Sequence, residues 1–327
     1  MSTYVIGDIH GCFAEFKSLL DKVDFSCSQD RLILLGDVID RGPSSDDVVE
    51  WIVDNRECID FVLGNHEYMM LAATMDADDM VVNPWSDWVK NSGEFTADQL
   101  LSLERWQRRA FFDIVENAHK HIEVTVGDKT YSMVHAGYKG PFTEGWLERQ
   151  DSETMLWARL EWLSNPQRTP LHTVFGHTPV EHIWYYNKFG ESSVNGYMPA
   201  APMNNFLPST CSDDGKILTW NNRTAIDCGC FCGGSLCALR LDDFKAFYVS
   251  AFEDTIRMYV DYAGQFPIED WEKVMKTWKE DSVDKEVILL LWEKFHTKLP
   301  ELDDMPTCAE LVANRKIKQL SEYPLII

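Results

Sequence analysis

The feature that most restricts the fold of this chain is a set of three short apolar runs, each followed by a glycine and then by metal-ligating side chains. The runs are Tyr4-Val5-Ile6, Leu32-Ile33-Leu34-Leu35 and Phe61-Val62-Leu63, and the segments after them are Gly7-Asp8-Ile9-His10-Gly11, Gly36-Asp37-Val38-Ile39-Asp40-Arg41-Gly42 and Gly64-Asn65-His66-Glu67. Helix-like stretches separate the runs, which predicts right-handed β-α-β crossovers and a largely parallel sheet. Side chains that follow parallel strands meet at one edge of such a sheet.

The ligand types in these segments predict a metal centre. Two further clusters, His135-Ala136-Gly137 and Gly176-His177-Thr178, add imidazoles to the carboxylates and the amide. This donor set contains no thiolate and suits manganese, iron or zinc. We expect Asp8 and His10 to hold one ion, Asp37 to bridge two ions, and Asn65, His135 and His177 to hold the second. Two such ions can clamp a phosphoryl oxygen and activate a water molecule.

A second group of residues predicts proton transfer and phosphate binding. His66 adjoins Asn65, so it can lie beside the metals without binding them, and Asp40 can orient its imidazole for protonation of a leaving oxygen. Arg41 offers a planar fork for phosphate oxygens. Taken singly, each motif has a structural explanation: a capping Asp, a turn or an exposed ion pair. The complete set in this order favours catalysis.

Composition excludes several classes of partner. The formal net charge of −23 argues against binding to a nucleic-acid backbone or to an anionic membrane surface. No apolar run is long enough to span a bilayer, and the chain enters a strand without a secretory signal, which predicts a cytoplasmic protein. The nine cysteines are therefore expected to be thiols. Cys228, Cys230, Cys232 and Cys237 lack paired CxxC spacing, so we expect core thiols on one strand face rather than zinc ligands.

The rest of the chain divides into a mixed segment, a loop and a helical end. Strands are expected at residues 122–126 and 131–134, forming a hairpin that delivers His135, and at 217–220, 236–241 and 246–249. A capping box at Thr96-Ala97-Asp98-Gln99 precedes a helical run through about residue 117. We interpret residues 187–215 as a loop insertion, either a lid or a solvated surface loop. Residues 1–256 are predicted to form the catalytic domain, with a helical extension at 257–327.

Together these motifs resemble the phosphoprotein phosphatase family of calcineurin-like metallophosphoesterases, in its bacterial and phage branch. The family pattern reads GDxHG, GDxVDRG, GNHE and two later histidines, with Ile39 here in place of the usual Val. The resemblance implies a four-layer α/β/β/α sandwich with two mixed sheets and two metal ions, with manganese favoured and iron or zinc as alternatives. It also implies in-line attack by hydroxide activated by those metals, without a phosphoenzyme. Trp157-Ala158-Arg159 is similar to the family's Trp-x-Arg segment, which implies a second phosphate contact at Arg159.

A competing resemblance concerns substrate class. Symmetrical diadenosine tetraphosphate hydrolases are similar at Ile226-Asp227-Cys228-Gly229-Cys230, but usually have Ala where this chain has Asp40 and GNHD where it has Glu67. These departures favour a phosphatase acting on phosphoserine or phosphothreonine proteins or on small phosphoesters, with dinucleotide cleavage as the alternative. A binding protein that has lost catalysis is a third hypothesis, and the intact ligand set argues against it. The oligomeric state stays open.

Overall fold

The computed structural model describes residues 1–74, 88, 91–189, 206–209, 211, 214–256 and 258, so the predicted C-terminal extension lies outside the described residues apart from Met258. The strands are β1 Thr3–Ile6, β2 Arg31–Leu34, β3 Ile59–Phe61, β4 His121–Val126, β5 Lys129–Val134, β6 His172–Phe175, β7 Leu218–Trp220, β8 Arg223–Ala225, β9 Ser235–Arg240 and β10 Lys245–Ser250. The helices are α1 Phe13–Lys22, α2 Ser45–Asp54, α3 Asn65–Thr74, α4 Gly93–Ser102, α5 Arg105–Glu116, α6 Ser152–Trp157, α7 Leu160–Leu163 and α8 Val180–Phe189.

The first sheet contains the three apolar runs. Its strand order is β10-β9-β1-β2-β3, with β1, β2 and β3 parallel and β9 and β10 added antiparallel at one side. Helices α1 and α2 connect the parallel strands, as the alternation of strand and helix predicts. The three metal-ligating segments that follow β1, β2 and β3 therefore leave the same edge of this sheet.

The second sheet has the order β4-β5-β6-β8-β7. Strands β4 and β5 form the predicted antiparallel hairpin, whereas β5, β6 and β8 are parallel. His135 follows β5 directly, and Gly176 and His177 follow β6. The sequence analysis did not identify β6 or β8, because both contain polar residues, His-Thr-Val-Phe and Arg-Thr-Ala, and lack a continuous apolar run.

The two sheets pack face to face, and helices cover their outer faces. Along β1, Val5 points into the core between the sheets, while Tyr4 and Ile6 point to the core under α1 and α2. Ile33 of β2 faces Met133 and Val174 of the second sheet in the same inner core. A third core lies under α7 and α8. This four-layer α/β/β/α architecture with two mixed sheets confirms the predicted fold class.

Two predictions about local structure are wrong. Residues 96–99 do not cap a helix, because Thr96 lies inside α4. Helix α4 ends at Ser102, and the capping box belongs to α5, where the Gln107 side chain accepts the N–H of Glu104 at 2.9 Å. The loop insertion was expected to begin at residue 187, but α8 continues to Phe189, and Asn187 accepts the N–H of Leu207 at 2.8 Å. Most of the predicted insertion lies outside the described residues.

The cysteines also differ from expectation. Cys27 and Cys58 form a disulfide with 5.3 Å between their Cα atoms, so the prediction that all cysteines are thiols is wrong for this pair. Residues 228–234 form a tight loop between β8 and β9 rather than a strand. Cys228 and Cys230 consequently enter different cores instead of sharing one face. No described helix combines the length and the apolar content that a membrane span requires.

Candidate dinuclear metal centre

The turns that carry the predicted site residues have unusual backbone conformations. Positive φ values occur at His10 (47°), Asp37 (50°), Asp40 (70°), Arg41 (68°) and His177 (65°). Asp and His tolerate this left-handed region better than most residues, and each such turn reverses the chain just beyond a strand. The side chains are thereby directed back over the carboxyl-terminal ends of the strands. Strain of this kind is typical of functional sites.

Asn65, His135 and His177 converge with Asp37 in one group. The His135 Nε2 atom lies 2.8 Å from Asn65 Oδ1, 3.1 Å from His177 Nδ1 and 3.4 Å from Asp37 Oδ2. His177 Nδ1 is 2.9 Å from Asn65 Oδ1. All four side chains are buried. The structure therefore brings the predicted residues of the second ion together.

His10 and Asp37 belong to an adjoining group. His10 Nε2 lies 3.7 Å from Asp37 Oδ2, and His66 Nε2 lies 3.9 Å from the same oxygen. His10, Asp37 and His66 form one three-residue cluster, and Asp37, His135 and His177 form the other, so Asp37 is the member common to both. This is the position expected of a bridging carboxylate.

Asp8 is placed differently from the prediction. It is buried, yet it belongs to neither of these clusters of described residues. Its carboxylate accepts the N–H of His177, with Oδ1 at 2.9 Å and Oδ2 at 3.0 Å. A Cβ atom on Gly176 would lie 2.1 Å from Asp8 Oδ1, so only glycine permits this approach. Asp8 thus joins the edge of the first sheet to the turn that carries His177.

The donor atoms of the centre fit divalent cations. His135 Nδ1 lies 2.7 Å from the Leu35 carbonyl and His10 Nδ1 lies 2.9 Å from the Ile39 carbonyl. Each Nδ1 can therefore donate, which leaves Nε2 of either ring as the atom that a bound cation would use. A neutral His135 would point its Nε2 lone pair at the Asn65 oxygen, which is also an acceptor. A cation between these acceptors removes the mismatch, and in the absence of metal a proton on His135 Nε2 has the same effect.

The charges of the protein side chains in the centre also favour a bound cation. Burial lowers the pKa of His135, but the charge of Asp37 and its hydrogen bond, with Asp8, raise it to about 9. Burial opposes ionisation of Asp37, yet the charges of His135 and His66 hold its pKa well below the usual range. Without metal, a protonated imidazole therefore compensates the carboxylates. Bound cations would take over that function.

Asp40, His66 and Arg41 form the predicted acid and phosphate group. His66 Nδ1 lies 2.6 Å from Asp40 Oδ2, with both side chains fully buried. Arg41 Nη2 lies 3.1 Å from His66 Nε2. Because Nδ1 is paired with the carboxylate, Nε2 is the atom that faces the centre and can exchange a proton with a substrate. Arg41 is partly exposed to solvent.

Arg159 lies in the short segment between α6 and α7, next to the turn that carries His177. Its Nη1 atom donates to Thr178 Oγ1 at 3.3 Å, one residue beyond His177. Burial lowers the pKa of His177, and the charge of Arg159 lowers it further. Burial and the charge of Arg41 likewise lower the pKa of His10. The two arginines therefore both act electrostatically on the proposed metal ligands.

Glu67 is a buried site residue whose role the sequence analysis did not identify. Its Oε2 accepts the N–H of Asp37 at 2.8 Å, and its Oε1 accepts those of Val38 at 2.8 Å and Ile39 at 3.4 Å. The side chain thus holds the turn that positions Asp37. A Cβ atom on Gly64 would lie 2.5 Å from Glu67 Oε2 and 2.4 Å from Asp37 Oδ1, so glycine is required there.

Two further residues were missed. Trp88 is buried, and its indole Nε1 donates to both carboxylate oxygens of Asp40, at 3.2 and 3.0 Å. Asp227 follows β8 and is buried close enough for its charge to act on Asp8. Burial raises the pKa of Asp227 to about 6. The position of Asp227 after a parallel strand could have indicated a site residue, but only if β8 had been recognised in the sequence.

The fold and the site together define a class of enzyme. Two mixed sheets enclosed by helices, with buried histidine and aspartate clusters at their common edge, form a metal-dependent phosphoesterase hydrolase. The family model described as calcineurin-like phosphoesterase matches residues 1–210. The chain belongs to this family.

Relatives within the family carry two different names. The symmetrical bis(5'-nucleosyl)-tetraphosphatase of Erwinia tasmaniensis is 28% identical over 277 residues, covering 76% of this chain and 96% of that protein. Serine/threonine-protein phosphatase 1 of Salmonella typhimurium is 32% identical over 180 residues, covering 54% of this chain and 78% of that protein. The crystal structure of a protein assigned as a diadenosine tetraphosphatase superposes with a TM-score of 0.50 and 20% identity over 77% of this chain and 94% of that one, which supports the fold.

Proposed function

We propose that this enzyme hydrolyses symmetrical dinucleoside tetraphosphates, splitting diadenosine tetraphosphate into two ADP. The observation that carries the proposal is the share of the chain that each kind of relative matches. Relatives named for this reaction match over 76% of the chain and 94–96% of their own lengths, whereas the phosphatase relative matches over 54%. The sequence analysis favoured a protein phosphatase, and this proposal reverses that order.

The donor atoms suggest which residues would hold the metals. We assign Asp37 as the shared ligand, His10 to one ion with Asp8 as a further carboxylate, and Asn65, His135 and His177 to the other. When bound, two divalent cations, for which we propose Mn²⁺, polarise phosphoryl oxygens and make water a stronger nucleophile. The oxygen and imidazole donors are compatible with that metal.

Proton transfer is assigned to His66. In the structure its Nε2 faces Arg41 Nη2, an N–H donor, so this nitrogen presents a lone pair. When Arg41 turns towards the phosphate oxygens of a bound polyphosphate, Nε2 becomes free to carry a proton. Asp40 at 2.6 Å stabilises the resulting imidazolium. His66 can then protonate the departing ADP oxygen, while Arg41 and Arg159 bind the charged phosphates.

A protein phosphatase specific for phosphoserine and phosphothreonine is the second candidate. The contact between Asp40 and His66 supports it, because symmetrical hydrolases usually have Ala at the position of Asp40. The 32% identity to the Salmonella typhimurium phosphatase supports it as well. Both candidates use the same centre and differ only in what occupies the space beyond the phosphate.

The deciding experiment starts from metal-stripped protein to which Mn²⁺ is restored. Diadenosine tetraphosphate, a phosphothreonine peptide and para-nitrophenyl phosphate are assayed side by side, with Asp37→Asn as the matched control for contaminating activity. We expect ADP as the sole nucleotide product, with kcat/KM for the dinucleotide far above that for the other two substrates. Faster release of phosphate from the peptide would replace the proposal with the second candidate. Activity that persists in Asp37→Asn would contradict both.

A further inference from the structure

A second group of metal-binding side chains lies behind the catalytic centre. Cys12, Glu15 and Cys230 are 0%, 1% and 2% exposed, and their ligand atoms all lie within 4.8 Å of one another. We refer to them as the Cys-Glu-Cys cluster. None of the three has a place in phosphoester hydrolysis as described above.

Local structure and topology bring the cluster together. Cys12 immediately precedes α1 and Glu15 lies in its first turn, so the spacing of three residues puts both side chains on one face of the helix. Cys230 comes from the tight loop after β8, and its Sγ lies within 4.8 Å of Cys12 Sγ and of a carboxylate oxygen of Glu15. Cys12 Sγ also lies 3.5 Å from the carbonyl oxygen of His10. The cluster therefore borders the catalytic centre without opening into it.

The carboxylate of Glu15 is only half satisfied. Its Oε1 accepts the N–H of Phe252 at 2.7 Å, whereas Oε2 is buried and has no hydrogen-bond partner. Leaving a carboxylate oxygen without a partner in the protein interior is strongly unfavourable. The bond to Phe252 fixes the orientation of the side chain, as outer hydrogen bonds do for carboxylates that bind metals.

A second thiol pair shows what is specific to this cluster. Cys228 and Cys237 are also buried, and both lie in the core under α7 and α8. Among the described residues, that pair belongs to no group of three potential metal ligands. Packing of small thiols accounts for Cys228 and Cys237, but it does not account for an unpartnered carboxylate oxygen beside two sulfurs.

We propose that Cys12, Glu15 and Cys230 bind a thiophilic divalent cation of the Zn²⁺ class, at a site separate from the catalytic centre. Two thiolates select soft or borderline metals over manganese and magnesium. A carboxylate oxygen is an accepted third zinc ligand, and a water molecule or a further donor completes four-coordination. The ion gives Glu15 Oε2 its missing partner and ties the loop after β8 to the start of α1. The proposal does not depend on which phosphoester is the substrate.

The test uses the full chain, stripped of metal and reconstituted with Co²⁺ or Zn²⁺. Thiolate bound to Co²⁺ gives a charge-transfer band in the near ultraviolet, which nitrogen and oxygen ligands do not give. We expect this band in the parent protein and in Asp37→Asn, where the catalytic centre is impaired. The double variant Cys12→Ser/Cys230→Ser should lose the band and one equivalent of Zn²⁺ per chain.

The matched control is Cys228→Ser/Cys237→Ser, which removes the other buried thiol pair and should keep both the band and the zinc. Glu15→Gln changes one atom and preserves both thiols, so it serves if the double variant does not fold. It should weaken Zn²⁺ binding by at least about tenfold. Absence of the band from the parent protein, or unchanged zinc affinity in Glu15→Gln, would overturn the proposal and leave Glu15 as a packed structural side chain.

Discussion

Replacing Glu67 is expected to disable the centre although Glu67 binds neither metal nor substrate. Its carboxylate is fully buried and accepts the N–H groups of Asp37 and Val38, each at 2.8 Å. In Glu67→Ala both donors lose their partner. A buried unsatisfied donor costs about 1–3 kcal/mol, so the free energy of unfolding should fall by about 2–6 kcal/mol. That is a large part of the total stability of a typical domain.

Glu67→Gln separates the two halves of this interaction. Its amide oxygen still accepts one N–H, but its NH₂ group faces the other donor, so we expect about half the loss of the Ala variant, roughly 1–3 kcal/mol. Urea unfolding of metal-free protein, followed by tryptophan fluorescence, measures both variants. Mn²⁺ affinity should fall more in Glu67→Ala than in Glu67→Gln, because the turn that Glu67 holds by hydrogen bonds positions Asp37.

The control for this series is Glu57→Ala, since the Glu57 side chain is 88% exposed and lies outside the centre. It should change the unfolding free energy by less than about 0.5 kcal/mol. If the unfolding free energy of Glu67→Ala also stays within about 1 kcal/mol of the parent value and the variant binds Mn²⁺ normally, then the hydrogen bonds of Glu67 do not position the Asp37 turn.

Three further changes test other parts of the centre. Gly176→Ala puts a methyl group 2.1 Å from Asp8 Oδ1 and should lower the Mn²⁺ content of the folded protein; a fully loaded variant would contradict the close approach. Asp40→Asn removes the carboxylate that pairs with His66 and should lower kcat for dinucleotide hydrolysis by roughly 100-fold with little change in KM; unchanged kcat would remove Asp40 from proton transfer. Burial raises the pKa of Asp227 from 3.8 to about 6, so the native state keeps a proton that the unfolded state has lost. Titration of Asp227 should therefore lower the stability of the metal-free protein by about 3 kcal/mol as pH rises from about 4 to 6, and Asp227→Asn should remove this contribution from the pH dependence measured by urea unfolding.

Several features of this protein could be predicted from sequence because their cause is local. The continuous apolar runs of β1 and β2 predict strands buried on both faces, since neighbouring side chains point to opposite faces. A parallel sheet follows from the helices between the strands, and it brings the residues after each strand to one edge. The predicted proximity of Asp37 and Asn65 depended on little more than this rule, whereas His135 and His177 follow strands of the second sheet and were assigned from their ligand type.

Other features arise only in the tertiary structure because they join residues far apart in the chain. Strands β6 and β8 contain polar residues and lack a continuous apolar run, and β8 is what places Asp227 near Asp8. The Trp88 bond to Asp40 spans 48 residues and the contact between His177 and Asp8 spans 169. No local pattern encodes such distances.

The cysteines illustrate the difference most clearly. Sequence spacing grouped Cys228, Cys230, Cys232 and Cys237, because neighbours in the chain were expected to share a strand face. Folding instead separates Cys228 from Cys230 and places Cys230 next to Cys12, which precedes it by more than two hundred residues. The sequence determined which chemical groups were available and at which strand ends they would stand. Packing of the two sheets and their helices decided which groups meet, because burial rewards contacts irrespective of separation along the chain.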